Sequence, residues 1–226
     1  MFGSSRRRVV GCLALLPAVA IAAAACAPAA APALSPTTID PVAGIVVGDG
    51  AVDIQLWSDP SCPHCMSLDE AIGDDLAAFV ADGTATWTLH PMTYVSAKRG
   101  DVTDYSARAA ALLLGVAAAG EDDALLPLYG LIQQNQVTAD HSPSDEELLD
   151  LAATAGATSD LSTAIADYAT LASAANDAWL GKPIPGTDQV VDHVPLLVID
   201  GTVFEVRENG TDAARFAAAV AEAAAD

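Results

Sequence analysis

Apolar and polar residues follow a strand-like pattern in two stretches of the N-terminal half of the chain. Segment 52–57 (VDIQLW) is largely alternating, and segment 84–89 (TATWTL) places Trp and Leu between threonines. This pattern is typical of a β-strand with one face in the core. Residues 66–81, between the two, have helical patterning that ends near Gly83. The chain is therefore predicted to begin with a β-α-β unit, and residues 45–47 are a candidate for one further strand.

Four segments in the middle of the chain are helical in pattern. The third begins with Ser144 and carries Glu147 three residues later, which is the pattern of a capping box. Gly181 and Pro183 end this helical part. The predicted helices cover residues 104–119, 122–136, 144–155 and 159–180.

Strand-forming residues return after the helical part. Apolar runs at 190–199 and 202–206 flank Asp200-Gly201, a pair that favours the tight turn of a β-hairpin. Residues 211–225 predict a final helix. The order is therefore β-α-β, several helices and β-β-α, which indicates an α/β fold.

Residues 1–26 have the composition of an export signal. Three arginines at 6–8 precede an apolar run at 9–25, and Cys26 follows three alanines. Small residues before a cysteine resemble a bacterial lipoprotein processing site, so we predict that Cys26 is lipidated. Ordinary signal cleavage nearby and an uncleaved anchor are the alternatives, and the arginines also resemble a twin-arginine signal. Each of these places the remaining chain outside the cytoplasm.

The part of the chain after the predicted signal divides into a tether and one domain. Residues 27–43 are mostly Ala, Pro, Ser and Thr, a composition that suits an extended tether, and residues 44–226 are enough for one domain with a sizeable core. All 30 acidic residues and only six of the nine basic residues follow Cys26, so this part carries a net charge of −24. Such acidity argues against nucleic acid or an anionic membrane surface as a partner.

The tetrapeptide at 62–65 (CPHC) carries the clearest chemical signal. It directly follows the predicted strand at 52–57 and opens the first helix. Two cysteines two residues apart at such a junction are typical of a redox-active dithiol, because the helix N-terminus stabilises a thiolate. The other two cysteines, Cys12 and Cys26, lie in the leader. A zinc site of four cysteines would need a second close pair in the domain, and the sequence has none.

Other interpretations of this motif are weaker. A structural disulfide across two intervening residues would close a very small loop and stabilise little. Thiolates with an imidazole could bind Cu(I) and make this a copper-delivery protein, although such relatives of thioredoxin usually separate the cysteines by three residues and add a distal histidine. A non-catalytic binding module is a third alternative, and the intact dithiol argues against it because such a module does not require one. His90, after a strand, and His141, in a polar loop, are interpreted as having no role in catalysis or metal binding.

The CPHC motif, the pair Val194-Pro195 and the following strand at 196–201 (LLVIDG) resemble the DsbA-like thiol:disulfide oxidoreductases, in particular their secreted and lipoprotein members. The resemblance extends over about residues 44–226. It implies a thioredoxin-like α/β fold with an α-helical domain inserted at about residues 98–181. It implies no cofactor and no metal.

The resemblance also assigns roles to the motif residues. Cys62 is expected to be the exposed nucleophile that forms a mixed disulfide with the client, and Cys65 its buried resolving partner. His64 is expected to approach the Cys62 sulfur and to stabilise its thiolate. Pro63 suits the first turn of the helix and has a geometric role.

A second set of expectations concerns the loop before the hairpin. Pro195 is expected to be cis, which would leave the backbone of Val194 free to pair with an extended client peptide. His193 is expected near Cys62, where it would tune the thiol, contact the client or simply lie at the surface.

The family pattern often includes a buried acid in the strand before the dithiol, and segment 54–57 contains none. Asp59 is the nearest carboxylate. It would either replace that acid or form a turn with Pro60.

These features together predict an exported protein, lipid-anchored at the cell membrane or secreted, that oxidises client thiols through Cys62 and Cys65. Its expected partners are exported proteins with cysteines and, by resemblance, a quinone-linked membrane oxidase. A reductase or isomerase of the same fold is the alternative, and copper delivery is a more distant one.

Overall fold

The computed structural model of the protein describes Met1 and residues 40–225. The predicted signal, lipidation of Cys26 and most of the tether at 27–43 lie outside the described residues. The described part contains a five-stranded sheet in the order β1-β3-β2-β4-β5. Its strands are β1 (Ile45–Val47), β2 (Val52–Ser58), β3 (Ala85–Pro91), β4 (Leu196–Ile199) and β5 (Thr202–Phe204).

The central strand β2 runs parallel to β3 and antiparallel to β4. The edge strands β1 and β5 pair antiparallel with β3 and β4. Asp200 and Gly201 join β4 to β5 with φ angles of 48° and 76°. Positive φ at both central residues is what a type I′ hairpin turn requires, so the predicted hairpin is confirmed. This topology brings the end of β2 and the start of β4 side by side.

The described chain forms seven helices, of which six were predicted. The capping box of Ser144 and Glu147 is present with both of its hydrogen bonds. The fourth predicted middle helix starts later than residue 159, because the N–H groups of Thr158 and Ser159 donate to the Glu121 carboxylate. The helices are α1 (Pro63–Ala81), α2 (Val95–Lys98), α3 (Tyr105–Ala118), α4 (Asp122–Gln134), α5 (Asp145–Thr154), α6 (Ala164–Trp179) and α7 (Asp212–Ala223). None of the helices between residues 40 and 225 is long and apolar enough to cross a membrane.

Helix α3 lies at the centre of the helical part and is buried along most of its length. It packs very closely on α6, since a Cβ atom added at Gly115 would lie 2.6 Å from the Cβ of Ala164. Small residues allow this approach. A second, smaller apolar cluster lies where the sheet meets the start of α1, and it contains Trp57, Cys62 and Cys65. The large core therefore supports the scaffold, and the small one surrounds the dithiol.

Asp69 on α1 provides a test of buried charge away from the dithiol. Burial, with repulsion from Asp74 and Glu70, raises the pKa of Asp69 to about 6. A carboxyl whose pKa is raised on folding destabilises the folded state once it ionises. Asp69→Asn is therefore expected to increase the free energy of unfolding by about 1–2 kcal/mol at pH 8 and to change it little at pH 4. Urea unfolding at both pH values measures this, and an equal effect at both would contradict it.

Candidate active site

The dithiol sits at the junction that the sequence indicates. Strand β2 ends at Ser58, and a turn closed by the N–H of Cys62 donating to the Asp59 carbonyl at 3.0 Å leads into α1. Cys62 is the extended N-cap residue of α1, and Pro63 is the first helical residue. Cys65 follows in the first turn, and its N–H donates to the Cys62 carbonyl at 3.1 Å.

Both cysteines are free thiols and both are buried. Cys65 has no exposed surface, as the resemblance implied, but Cys62 is only 4% exposed. The expectation of an exposed Cys62 is therefore wrong. The reason is the loop before β4, which lies against the cysteine and puts the Val194 carbonyl oxygen 3.5 Å from its Sγ atom.

The environment of Cys62 favours its thiolate. A hydrogen bond with the Cys65 thiol is the main cause that lowers the pKa of Cys62 to about 7, and the backbone N–H groups of Cys65 and His64 add to it. Burial and the charge of Asp59 oppose this effect. Burial raises the pKa of Cys65 well above its ordinary value. Of the two cysteines, Cys62 is therefore the one that ionises near neutral pH, while Cys65 stays a thiol.

His64 does not make the contact that the resemblance implied. Its Nδ1 atom lies 2.8 and 3.0 Å from the two carboxylate oxygens of Glu208, and 68% of its side chain is exposed. The hydrogen bond and the charge of Glu208 raise the pKa of His64. The expectation of an imidazole directed at Cys62 is corrected accordingly. Local sequence could not reveal this pair, because Glu208 lies 144 residues further along the chain.

The loop before β4 lies beside the start of α1. The Val194–Pro195 peptide bond is cis. His193 is exposed, with its Nδ1 atom 2.6 Å from an Asp192 carboxylate oxygen. A groove of about 510 Å³ runs along this loop and is lined by His64, His193, Val194, Pro195, Phe204 and Glu208, among others. The structure thus brings together the CPHC motif and the predicted loop residues.

The fold of this chain recurs in solved structures. Oxidised BdbD from Bacillus subtilis aligns with a TM-score of 0.60 at 14% identity, over 81% of this chain and 94% of that one. Reduced DsbA from Mycobacterium tuberculosis aligns with a TM-score of 0.58 at 19% identity, over 81% and 98%. MdbA from Corynebacterium diphtheriae, a thiol-disulfide oxidoreductase, gives a TM-score of 0.58 at 23% identity, over 76% and 89%.

The chain has a DsbA-like thioredoxin fold. The predicted fold class, a thioredoxin-like fold with an inserted helical domain, is confirmed, and the insertion is the set of helices α2 to α6 between β3 and β4. A scan against protein-family models and a search of the curated proteins gave no match.

Asp59, three residues before Cys62, is a buried carboxyl. It has no exposed surface, and it accepts hydrogen bonds from the N–H groups of Ser61 (2.9 Å) and Val95 (2.8 Å) and from the Ser106 hydroxyl. Burial raises its pKa to about 6 in spite of these bonds. The hydrogen bond from the Ser61 N–H forms the turn that the sequence suggested. The burial of the Asp59 carboxyl also resembles that of the acid in the family pattern, which the strand at 54–57 lacks. Its hydrogen-bond partners Val95 on α2 and Ser106 on α3 were not indicated by any sequence pattern.

The helical insertion also holds the backbone of the CPHC loop. Arg99 donates from Nη1 to the Ser61 carbonyl at 2.7 Å, and Gln136 donates from Nε2 to the Cys62 carbonyl at 2.8 Å. Sequence reasoning missed both residues, because neither belongs to a motif. Two carbonyl groups beside the nucleophile are thereby fixed by side chains of the insertion.

The two remaining histidines, His90 and His141, contact neighbouring side chains away from the cysteines. His90 stacks on Trp57 with ring centroids 4.4 Å apart, and burial lowers its pKa to about 4, so it is neutral at physiological pH. His141 is exposed and lies 3.0 Å from Glu147. Among the residues that the structure describes, no group of three or more His, Cys, Asp or Glu side chains could hold a metal ion.

Proposed function

We propose that the protein is an extracytoplasmic thiol–disulfide oxidoreductase that oxidises client thiols through Cys62 and Cys65. The observation that carries the proposal is the asymmetry of the pair, since Cys62 favours the thiolate and Cys65 the thiol. A stabilised Cys62 thiolate stabilises the reduced form, and the disulfide is correspondingly oxidising. The DsbA-like fold supports the same chemistry.

The reaction balances with two client thiols. One client thiolate attacks the Cys62 sulfur of the oxidised pair, the Cys62–Cys65 bond breaks, and Cys65 leaves with the electron pair and takes up a proton. A second client thiolate then attacks the client sulfur of the mixed disulfide, which releases Cys62 as a thiolate. The client is oxidised by two electrons and the enzyme is reduced by two. We assign Cys62 as nucleophile and Cys65 as resolving cysteine, and Asp59 as the nearest buried carboxyl for proton exchange.

The groove beside the Val194–Pro195 bond is our candidate for client binding. Its floor is apolar, with Val194, Leu196, Val203 and Phe204 among its lining residues. An extended client segment lying there would bring its cysteine to Cys62, next to the backbone of Val194. His193, at the rim of the groove, is placed to contact such a client.

We further propose that the protein is exported and anchored through a lipid on Cys26, with 27–43 as the tether. Its oxidising power would be restored by a membrane partner such as a quinone-linked oxidase. The order of signal, tether and catalytic domain in the sequence supports this arrangement.

The test is the reduction potential of the Cys62–Cys65 pair, measured by equilibration of the protein with glutathione. We expect a value well above the about −270 mV of thioredoxin and somewhat below the about −120 mV of DsbA, because the Cys62 thiolate is stabilised while His64 pairs with Glu208. Refolding of a reduced, cysteine-containing client should be accelerated by the oxidised protein. A value near about −270 mV, as in thioredoxin, would refute the oxidase and make the protein a reductase.

A further inference from the structure

The loop between β5 and α7 places the carboxylate of Glu208 against α1, the helix that carries the dithiol. Both oxygens of Glu208 lie within 3.0 Å of the Nδ1 atom of His64, the residue between the two cysteines. The charge of the Cys62 thiolate is the smallest of the influences on His64, and the two interactions with Glu208 are the largest. His64 therefore interacts mainly with Glu208 and only weakly with the nucleophile.

The loop conformation that presents Glu208 is built by Asp212, independently of His64. Glu208 has a backbone φ angle of 50°, in the left-handed region that residues other than glycine seldom adopt. Its N–H donates to the Asp212 carboxylate at 2.7 Å, and the N–H of Arg207 donates to the same group. Asp212 is only 3% exposed and is also paired with Arg215 at 3.0 Å. The backbone position of Glu208 is thus fixed by Asp212 and does not depend on the contact with His64.

The other acidic and basic side chains near Glu208 are paired with one another, so that His64 is the partner of Glu208. The adjacent cation, Arg207, donates from Nε and Nη2 to Glu205 at 2.8 and 2.6 Å. The other histidine of the groove, His193, is paired with Asp192. Each of these acidic and basic side chains therefore has its own partner, and the pairing of His64 with Glu208 is specific.

We propose that Glu208 is a positioning residue that holds the His64 imidazole away from the Cys62 thiolate and thereby makes the disulfide less oxidising than the CPHC motif alone would. The proposal rests on the proposed redox function. An imidazolium bound to a carboxylate presents little net charge to a neighbouring thiolate. Once Glu208 is neutral, the imidazole is free to face the thiolate, which stabilises the reduced form.

The variant Glu208→Gln tests this with the full chain. It keeps the size of the side chain and the backbone bonds to Asp212, and it removes the charge. We expect the equilibrium constant for reduction of the protein by glutathione to increase roughly three- to tenfold. The Cys62 thiol, followed by the absorbance of its thiolate, should titrate at lower pH than in the unchanged protein. No increase in the constant would overturn the proposal.

Glu205→Gln is the matched control, because it makes the same charge change in the same groove but removes the partner of Arg207 instead. It should alter the glutathione equilibrium less than twofold. A shift as large as that of Glu208→Gln would indicate a general charge effect and would overturn the proposal. The effect of Glu208→Gln should also vanish in a His64→Ala background. Its persistence there would show that Glu208 does not act through His64.

A measurement without any Glu208 variant covers the case in which Glu208→Gln does not fold. The titration of His64, followed by nuclear magnetic resonance, should be nearly the same in the oxidised and the reduced protein, because the imidazole faces Glu208 in both. A large redox-linked change would contradict the proposal. Failure of the proposed oxidase function has a different signature, since the unchanged protein would then have a potential near that of thioredoxin, whatever the effect of Glu208→Gln.

Discussion

Cys65→Ser is expected to accumulate mixed disulfides with client proteins, and Cys62→Ser is expected to form none and to lose oxidase activity completely. We assign Cys62 as the sulfur with which the reduced protein attacks a client disulfide, because its thiolate is stabilised at the start of α1. The serine hydroxyl in Cys65→Ser can still donate a hydrogen bond to that thiolate, so the nucleophile remains active. Without the resolving thiol, an adduct at Cys62 cannot be released by the enzyme itself.

Non-reducing electrophoresis of the two variants, after incubation with a client that contains disulfides, measures this outcome. The double variant Cys62→Ser, Cys65→Ser is the control and should form no adducts. Adducts in Cys62→Ser but not in Cys65→Ser would reverse the assigned roles. Equal loss of activity without adducts in either variant would refute the dithiol mechanism.

Asp59→Ala is expected to lower the free energy of unfolding by about 3–5 kcal/mol near pH 4. It leaves two backbone N–H groups buried without an acceptor, and each such group costs about 1–3 kcal/mol. It also removes one of the two acceptors of the Ser106 hydroxyl. The cost should shrink as the pH rises. Folding raises the pKa of Asp59 from 3.8 to about 6, so the stability that this carboxyl provides is complete below pH 3.8 and is lost as the pH passes through about 6.

Urea unfolding at pH 4 and pH 8 tests this dependence. The destabilisation should be smaller at pH 8 by up to about 3 kcal/mol, which is the energy of a pKa shift of this size. Asp53→Ala serves as the control, because Asp53 lies on the same strand and its carboxylate bonds only to the Gln55 side chain. It should change stability by less than about 0.5 kcal/mol. A loss for Asp59→Ala that is the same at both pH values would contradict a raised pKa.

Elements with a strong local pattern could be predicted from the sequence. Alternation in segment 52–57, the Asp200-Gly201 turn and the capping box at Ser144 each depend on residues close together in the chain, and the structure contains all three. Helix α2 was missed because its four residues, Val95–Lys98, are too few to show a period.

The parts of the site that the sequence did not reveal depend on contacts between distant segments. The burial of Cys62 depends on Val194, which lies 132 residues later. The contact of His64 with Glu208 likewise depends on how the last loop folds back. A motif identifies which atoms react, but neighbours brought in by tertiary structure decide their charge and access.

The hydrogen bonds that the inserted helices make to the CPHC loop limit how this protein can be recombined with others. Ser106, Arg99 and Gln136 all belong to the segment between β3 and β4, yet their acceptors are Asp59, Ser61 and Cys62. A chimera that replaced this segment with that of another thioredoxin-fold protein would therefore inherit the cysteines without the groups that hold their loop. Transplanting client specificity would require these three side chains to be rebuilt in the new insertion, so the insertion and the dithiol loop have to be exchanged together.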